Sequence, residues 1–248
     1  MDRSPNHRCV MDCLLLHLRA PLMSFGKPIV DSRGVIQPYP ALSMLTGLIG
    51  NALGFEHHES DRLERLQDRL RYAVREDRAG QQIQDYQTVD LGSDYMDYRN
   101  VAWTTRGAIE ERKGGSASTG THIRERDYWA DAGYTVALTL DAPDAPPTLD
   151  DVAAALQHPV RPLFIGRKPC LPATPLVAGR LSAGTWAGVL RAAPLPAWAD
   201  DRSDFRAWWP GAMDDPQARP TTDRRDWANQ IHVGERWVRH GTVVPASS

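Results

Sequence analysis

Cysteine is scarce in this sequence, with three residues among 248, at positions 9, 13 and 170. An odd and sparse cysteine count argues against a disulfide framework and favours a reducing cytoplasm. Cys9 and Cys13 have no matching second pair of ligands, so we expect neither a zinc site nor any other metal or cofactor.

Long apolar runs are also absent. No stretch reaches the roughly 18 consecutive apolar residues that indicate a transmembrane helix. Residues 1–8 are polar and charged and lack the apolar segment and cleavage site of a secretory signal. We therefore expect a cytoplasmic protein that makes no membrane contact.

Charge of one sign is not in excess either, because the formal net charge is −2. Bulk charge therefore does not indicate a nucleic-acid-binding protein. The distribution is more informative: residues 159–193 carry five Arg and Lys residues and no acidic residue, whereas residues 141–151 carry four aspartates. This pattern predicts either a polarised surface or an ordinary solvated one.

Hydrophobic periodicity predicts the secondary structure. Strands are expected at 11–19 and 133–140, with shorter ones at 85–90 and 231–238. Helices are expected at 40–53, 61–77 and 148–157, and the final turn of the second is also compatible with a strand. The resulting order predicts an α+β, ferredoxin-like (RRM-like) domain. Its open sheet face would be a platform for single-stranded RNA.

The chain divides into three parts by composition. Residues 1–85 and 128–195 are assigned to the core, 86–127 to a thumb-like insertion, and 196–248 to a loop-rich, proline-broken extension. The insertion has little apolar periodicity and contains a Gly/Ser-rich tip at 113–120. An insertion of this length is unusual unless it is functional or disordered.

Cations and aromatic residues are interleaved in the insertion. This mixture suits RNA, because phosphates need cations and unstacked bases need a flat partner. A solvated loop with incidental charge is the alternative. The RNA-binding candidates here are Trp103, Arg106, Arg112, Lys113, His122, Arg124 and Arg126.

A second group of candidates follows a predicted strand near residue 165. Gly166 would let a backbone approach closely, and the adjacent cations Arg167 and Lys168 could bracket a phosphate. An ordinary surface turn is the alternative.

The region around the first predicted helix supplies the remaining candidates. Ser43 could offer its hydroxyl to a phosphate beside exposed N–H groups, or simply cap its own helix. Gly47 belongs to a glycine stripe that indicates close approach by RNA, by another protein or by the chain's own sheet. Lys27 and Arg33 lie in the preceding loop and complete the set.

Five segments resemble CasD-type proteins of the RAMP superfamily, which occur in type I-E CRISPR Cascade complexes. They are 18–26, 40–54, 85–89, 126–138 and 162–172. The resemblance spans residues 11–180 and returns faintly between Trp227 and Arg239.

This resemblance implies a RAMP fold with a protruding thumb. It also implies a subunit that binds and caps the 5′ handle of the guide RNA (crRNA) without cutting it. The implied protein partners are the large and backbone subunits of the complex, and target DNA would be reached only indirectly.

A rival function remains open. Some relatives in type I-C systems cleave precursor RNA with a Tyr, Lys and His grouping, and Tyr39, Lys113 and His122 supply these residue types. Such a reaction needs a general base near a 2′-hydroxyl and a cation for the developing charge. A metal-independent endoribonuclease is therefore the alternative, and an assembly scaffold that contacts only protein is a third hypothesis.

Overall fold

The structure is a computed structural model that describes residues 10–28, 33–90, 101–103, 109–111 and 121–246. Side chains are described for 10–28, 33–87 and 124–246. Within these residues, no helix combines the length and apolar character needed to cross a membrane.

A seven-stranded antiparallel sheet forms the centre of the described chain. The predicted strands at 11–19 and 133–140 are confirmed and pair with each other. From one edge to the other, the strands are β10 (Val177–Ala183), β1 (Met11–Arg19), β9 (Gly133–Leu140), β4 (Leu70–Arg78), β11 (Phe205–Pro210), β15 (Arg236–Val243) and β12 (Ala218–Thr221).

Smaller strand pairs surround this sheet. The longest joins β5 (Gln81–Asp90) to β8 (Thr121–Ala130) over ten residue pairs, and we call it the β5–β8 ribbon. The short strands β2 (Leu22–Met23) and β3 (Arg33–Gly34) also pair with β8. The remaining pairs are β6 (Val101–Trp103) with β7 (Ile109–Glu111) and β13 (Arg224–Asp226) with β14 (Ile231–Val233).

Four helices complete the described elements: α1 (Leu42–Ala52), α2 (Ser60–Arg69), α3 (Leu149–Gln157) and α4 (Trp186–Ala192). The first and third confirm the predicted helices at 40–53 and 148–157. Thr148 caps α3 in a reciprocal box with Asp151, as the acidic first turn favours.

The second predicted helix is too long. It ends at Arg69, and the chain continues directly into β4. Leu70, Ala73 and Val74 satisfied a helical pattern, but Leu70, Tyr72 and Val74 also alternate and lie on one face of a strand, while Ala73 lies on the other. Pairing with β9 decides between the two periodicities in favour of the strand.

Both faces of the main sheet are covered by apolar packing. One face carries the larger core, where Leu16 and Val136 pack with Leu45 of α1. The other carries a second core, in which Leu15 and Ala137 pack with buried residues of α4. The prediction of an open sheet face that serves as an RNA platform is therefore wrong where α4 packs.

A buried arginine anchors the segment that covers this second face. Arg75 is fully buried, forms an ion pair with Asp77, and donates to the carbonyls of Ala193 and Pro194 at 2.8 and 3.1 Å. These charge-assisted hydrogen bonds satisfy carbonyls at the C-terminal end of α4.

The C-terminal portion is more regular than predicted. Strands β11, β15 and β12 extend the main sheet beyond β4, so the expectation of a loop-rich extension is corrected. The predicted strand at 231–238 is split into β14 and β15. The prolines had indicated loops, because proline cannot donate a backbone hydrogen bond to a neighbouring strand. Pro210 and Pro220 nevertheless lie within β11 and β12, where the other residues form the strand pairs.

Candidate nucleic-acid interface

Two predicted cations share one face of the β5–β8 ribbon. Arg124 and Arg126 are two residues apart on β8, so their side chains point to the same side. Gln87 and Asp85 of β5 lie opposite them in the register, and Gln87 donates to Asp85 at 2.6 Å. Neither arginine forms an ion pair with a described side chain. We call this side the cationic face.

Arg167 reaches the cationic face from the turn after residue 165. Its guanidinium lies 4.9 Å from the ring centroid of Tyr128, which follows Arg126 by two residues on β8. It donates to the carbonyl oxygens of Asp127 at 2.8 Å and Gly34 at 2.9 Å. Arg167 therefore ties β3 and the turn to the ribbon, while it adds a third cation to this face.

Gly166 makes a close backbone approach, but the partner is the chain itself. Its φ is +101°, a conformation that side chains other than glycine rarely adopt. A Cβ built at Gly166 would lie 1.9 Å from the carbonyl oxygen of Ser24. The glycine signal in the sequence is therefore explained by internal packing.

The opposite side of the ribbon carries acidic and amide groups. Arg33 pairs with Glu125 in the β3–β8 register, so it lies on this side and apart from Arg124. Its guanidinium is 3.4 Å from the buried carboxylate of Asp127, which also accepts from Gln82 at 3.2 Å. Strand register thus separates Arg33 from the other predicted cations of the ribbon.

Lys27 lies near this region but belongs to neither group. It is exposed, and its backbone N–H donates to the carbonyl of Val35 at 3.3 Å.

A groove of about 630 Å³ lies over α1 and brings together four residues singled out from the sequence, Ser43, Gly47, Gly166 and Lys168. Arg225 adds positive charge, Arg161 is paired with the lining residue Glu56 at 2.9 Å, and the wall includes aromatic side chains. Sequence reasoning missed Arg225 and its neighbours, although the faint resemblance after Trp227 pointed to this region. The aromatic and amide lining residues are Phe55, Phe164, Trp227, Asn51 and Gln230.

The N-terminus of α1 is already occupied. The backbone N–H of Leu42 donates to the carboxylate of Asp223 at 3.0 Å, and that of Ser43 donates to the Asp223 carbonyl at 3.0 Å. The Ser43 hydroxyl lies 3.4 Å from Nε2 of His232. The prediction of exposed N–H groups that bind a phosphate beside Ser43 is therefore wrong for these two groups.

His232 contributes little positive charge to this groove. Burial lowers its pKa, and the nearby Arg225 lowers it further. Among the described lining residues, the cations without a carboxylate partner are consequently Arg225 and Lys168.

The glycine stripe has mostly internal causes. A Cβ at Gly50 would lie 2.6 Å from Leu63 of α2, and Gly54 has a φ of +80°. Gly47 differs, because its Cβ would lie 3.5 Å from Trp227, which is an ordinary contact. Of the three glycines in the stripe, only Gly47 therefore lines the groove and leaves space for a methyl group.

Of the three residues named for the rival nuclease, only Tyr39 has a described side chain. Tyr39 is 4% exposed, its hydroxyl lies 2.9 Å from that of Thr221, and burial raises its pKa. The remaining predicted residues of the insertion lie outside the part of the chain whose side chains are described: Trp103, Arg106, Arg112, Lys113 and His122.

Metal-binding side chains are not clustered within the described residues, where no group of three or more His, Cys, Asp or Glu is found. Cys13 and Cys170 are buried and free. Burial raises the pKa of Cys13 to about 11, so its thiol stays protonated at neutral pH.

Comparison with known proteins matches this arrangement to one class. A family model described as "CRISPR-associated protein (Cas_Cas5)" matches residues 13–239. The CRISPR system Cascade subunit CasD of Escherichia coli (strain K12) is 31% identical over 170 residues, covering 68% of this chain and 71% of that protein.

Two solved structures share the fold. A chain of a "CRISPR RNA-guided surveillance complex" superposes with a TM-score of 0.68 at 24% identity, covering 94% of this chain and 90% of that one. A second, described as "Crystal structure of Cas protein", gives 0.63 at 24% identity, covering 95% and 98%.

The molecule is therefore a CRISPR-associated protein with a mixed α/β fold built on a large antiparallel sheet. More narrowly, the chain belongs to the Cas5 family, and its resemblance to the CasD type is confirmed.

Proposed function

We propose that this chain is a non-catalytic subunit of a type I-E CRISPR surveillance complex, Cascade, and that it binds and caps the 5′ handle of the crRNA. One observation carries the proposal: register and a turn bring Arg124, Arg126 and Arg167 to one face of the β5–β8 ribbon. The Cascade assignment is supported by the relative named CasD.

The fold is consistent with this role. The strand order β10–β1–β9–β4, with α1 and α2 between β1 and β4 and α3 between β9 and β10, supports a ferredoxin-like core. In this proposal the core comprises residues 1–85 and 128–195, and the insertion at 86–127 is a thumb that extends the ribbon.

The handle would follow a path from the groove over α1 to the cationic face. The turn at 166–168 links the two, because Gly166 and Lys168 line the groove while Arg167 contacts the ribbon. Cations and aromatic side chains along such a path suit an unpaired RNA strand. The partners are then the crRNA handle and the large and backbone subunits, with target DNA contacted only indirectly in the cytoplasm.

Charge removal on the cationic face tests the proposal. The double variant Arg124→Gln/Arg126→Gln should bind the handle roughly tenfold or more weakly, and the slope of log affinity against log salt should fall by about 0.7 per lost phosphate contact. Arg191→Gln, an exposed helical arginine without an ion pair among described side chains, is the matched control. Equal affinity and equal slope for both variants would refute the assignment.

Cleavage separates this function from its rivals. We expect repeat RNA to remain intact when incubated with the purified protein and a chelator, since the Tyr39 hydroxyl is buried in the core. A discrete cut abolished by His122→Ala would instead establish the endoribonuclease. A scaffold that contacts only protein would give no crosslinks between thumb residues and RNA.

A further inference from the structure

A stripe of arginines runs along one side of α2. Arg62, Arg65 and Arg69 follow the spacing i, i+3, i+7, so they lie on the same helical face. Arg62 is paired with Glu59 at 2.6 Å and stacks over the ring of Phe55 at 3.9 Å. Arg65 is exposed and makes no ion pair with a described side chain. The stripe therefore offers an unused cation.

The stripe borders a second groove of about 600 Å³, between α2, α3 and the turn at 145–147. Its surface is largely aliphatic and proline-rich, and the one carboxylate among its described lining residues is Asp151, which caps α3. The apolar residues that form it are Leu53, Phe55, Leu66, Ala145, Pro146 and Pro147.

Hydrogen bonds within the chain hold the walls of this groove. The Arg69 guanidinium donates to the carbonyls of Asp141 at 2.9 Å, Ala145 at 2.6 Å and Pro146 at 3.0 Å. These bonds hold the turn against the end of α2. A preformed groove loses little conformational entropy when a partner binds.

We propose, on the basis of the role in a surveillance complex proposed above, that this groove docks a protein segment from another subunit of that complex, in which an apolar side chain is flanked by Asp or Glu. The apolar side chain would fill the concavity, and the flanking carboxylate would pair with Arg65. Charge complementarity carries this choice, because Arg65 borders the groove without an ion pair among the described side chains, and the one carboxylate of the groove is already used in a cap.

Protein fits this surface better than RNA does. The Phe55 ring is covered by Arg62 on one face and is only 7% exposed, so it offers little surface for a base to stack on. Among the lining residues of the two grooves only Phe55 is common to both, so the α2–α3 groove is a separate surface from the proposed handle path.

Charge reversal in the assembled complex tests this inference. Arg65→Glu should weaken the association of one protein subunit with this chain by about tenfold or more, because a flanking carboxylate would then face a like charge. Native mass spectrometry of the purified complex measures the occupancy of each subunit. The melting temperature and the affinity for the crRNA handle should stay unchanged. Arg191→Glu on α4 is the control and should leave every subunit in place.

A photoreactive phenylalanine derivative in place of the exposed, groove-lining Ala154 identifies the occupant. The expected product is an adduct with an acid-flanked apolar segment of another subunit. Adducts with RNA or with a second copy of this chain would overturn the proposal, as would full subunit occupancy in Arg65→Glu. Reduced handle affinity in Arg65→Glu would reassign the groove to RNA, even if the Arg124/Arg126 test supports the ribbon.

Discussion

The N-terminus of α1 and the cationic face of the β5–β8 ribbon both suggest anion binding in the sequence, but the structure treats them differently. At α1, the anion is internal: Asp223 accepts from the Leu42 N–H and forms two hydrogen bonds with Arg236, both at 2.7 Å. On the ribbon, Arg124 and Arg126 have no carboxylate partner among described side chains.

This difference distinguishes polar groups that are used inside the fold from polar groups that are free to bind an external anion. The groups at α1 are buried, with Asp223 at 1% and the Arg236 side chain at 18% exposure, so removing either partner would leave the other buried and unpaired, which destabilises the fold. Arg124 and Arg126 of the ribbon are at least partly exposed to water, so a phosphate can replace the water around their guanidinium groups. Chemistry alone therefore does not identify a binding site, because the same donors serve both purposes.

The largest effect should follow from Asp223→Ala. It removes the acceptor for the Leu42 N–H and leaves Arg236 largely buried without its partner, so we expect a loss of about 3–5 kcal/mol in the free energy of unfolding. Denaturant titration measures it. Asp214→Ala, at an exposed carboxylate, should stay within about 0.5 kcal/mol of the parent. Similar midpoints for the two variants would contradict the structural role of Asp223.

A smaller effect on the free energy of unfolding should distinguish the neighbours Arg167 and Lys168. Arg167→Ala removes two hydrogen bonds from a charged donor to Asp127 and Gly34, and should cost about 1.5–3 kcal/mol of stability. Lys168→Ala should change stability by less than about 0.5 kcal/mol.

Handle binding completes this comparison. Lys168→Ala should reduce the salt slope of handle binding by about 0.7, the value for one phosphate contact on a single strand. Salt-dependent affinity measurements and thermal unfolding on the same samples distinguish the two roles. Equal stability loss in both variants would show that the turn acts as one structural unit.

The smallest effect concerns Gly47. Gly47→Ala should raise the stability by up to roughly 1 kcal/mol, since alanine favours the helix and its methyl group meets Trp227 at an ordinary distance. Handle affinity should nevertheless fall if RNA approaches α1 in the groove. Unfolding and binding measured together check both parts.

Gly50→Ala is the control for this prediction, because its methyl group would collide with Leu63 and should lower the stability. Unchanged handle affinity in a stable Gly47→Ala protein would exclude Gly47 from the RNA path.

Local sequence patterns predicted those secondary structure elements that depend on residues close along the chain. Alternation in β1 and β9, and the acidic first turn of α3, gave the correct element types. The end of α2 was missed because residues 70–74 fit both periodicities, and only the pairing of β4 with β9 resolves them. Arg124 and Arg126 were both among the candidates named from the sequence, but their common face, and the separation of Arg33 from it, required the registers of β8 with β5 and β3.

The sequence by itself determined the strands β1 and β9, the helices α1 and α3 and the CasD-type resemblance, because each depends on residues close along the chain. Only the tertiary structure decided which donors were already used. Asp223 caps a helix 181 residues away from it in the sequence, and α4 covers a sheet face that the pattern left open. Such contacts depend on the order and direction of distant strands, and side-chain periodicity carries no information about that order.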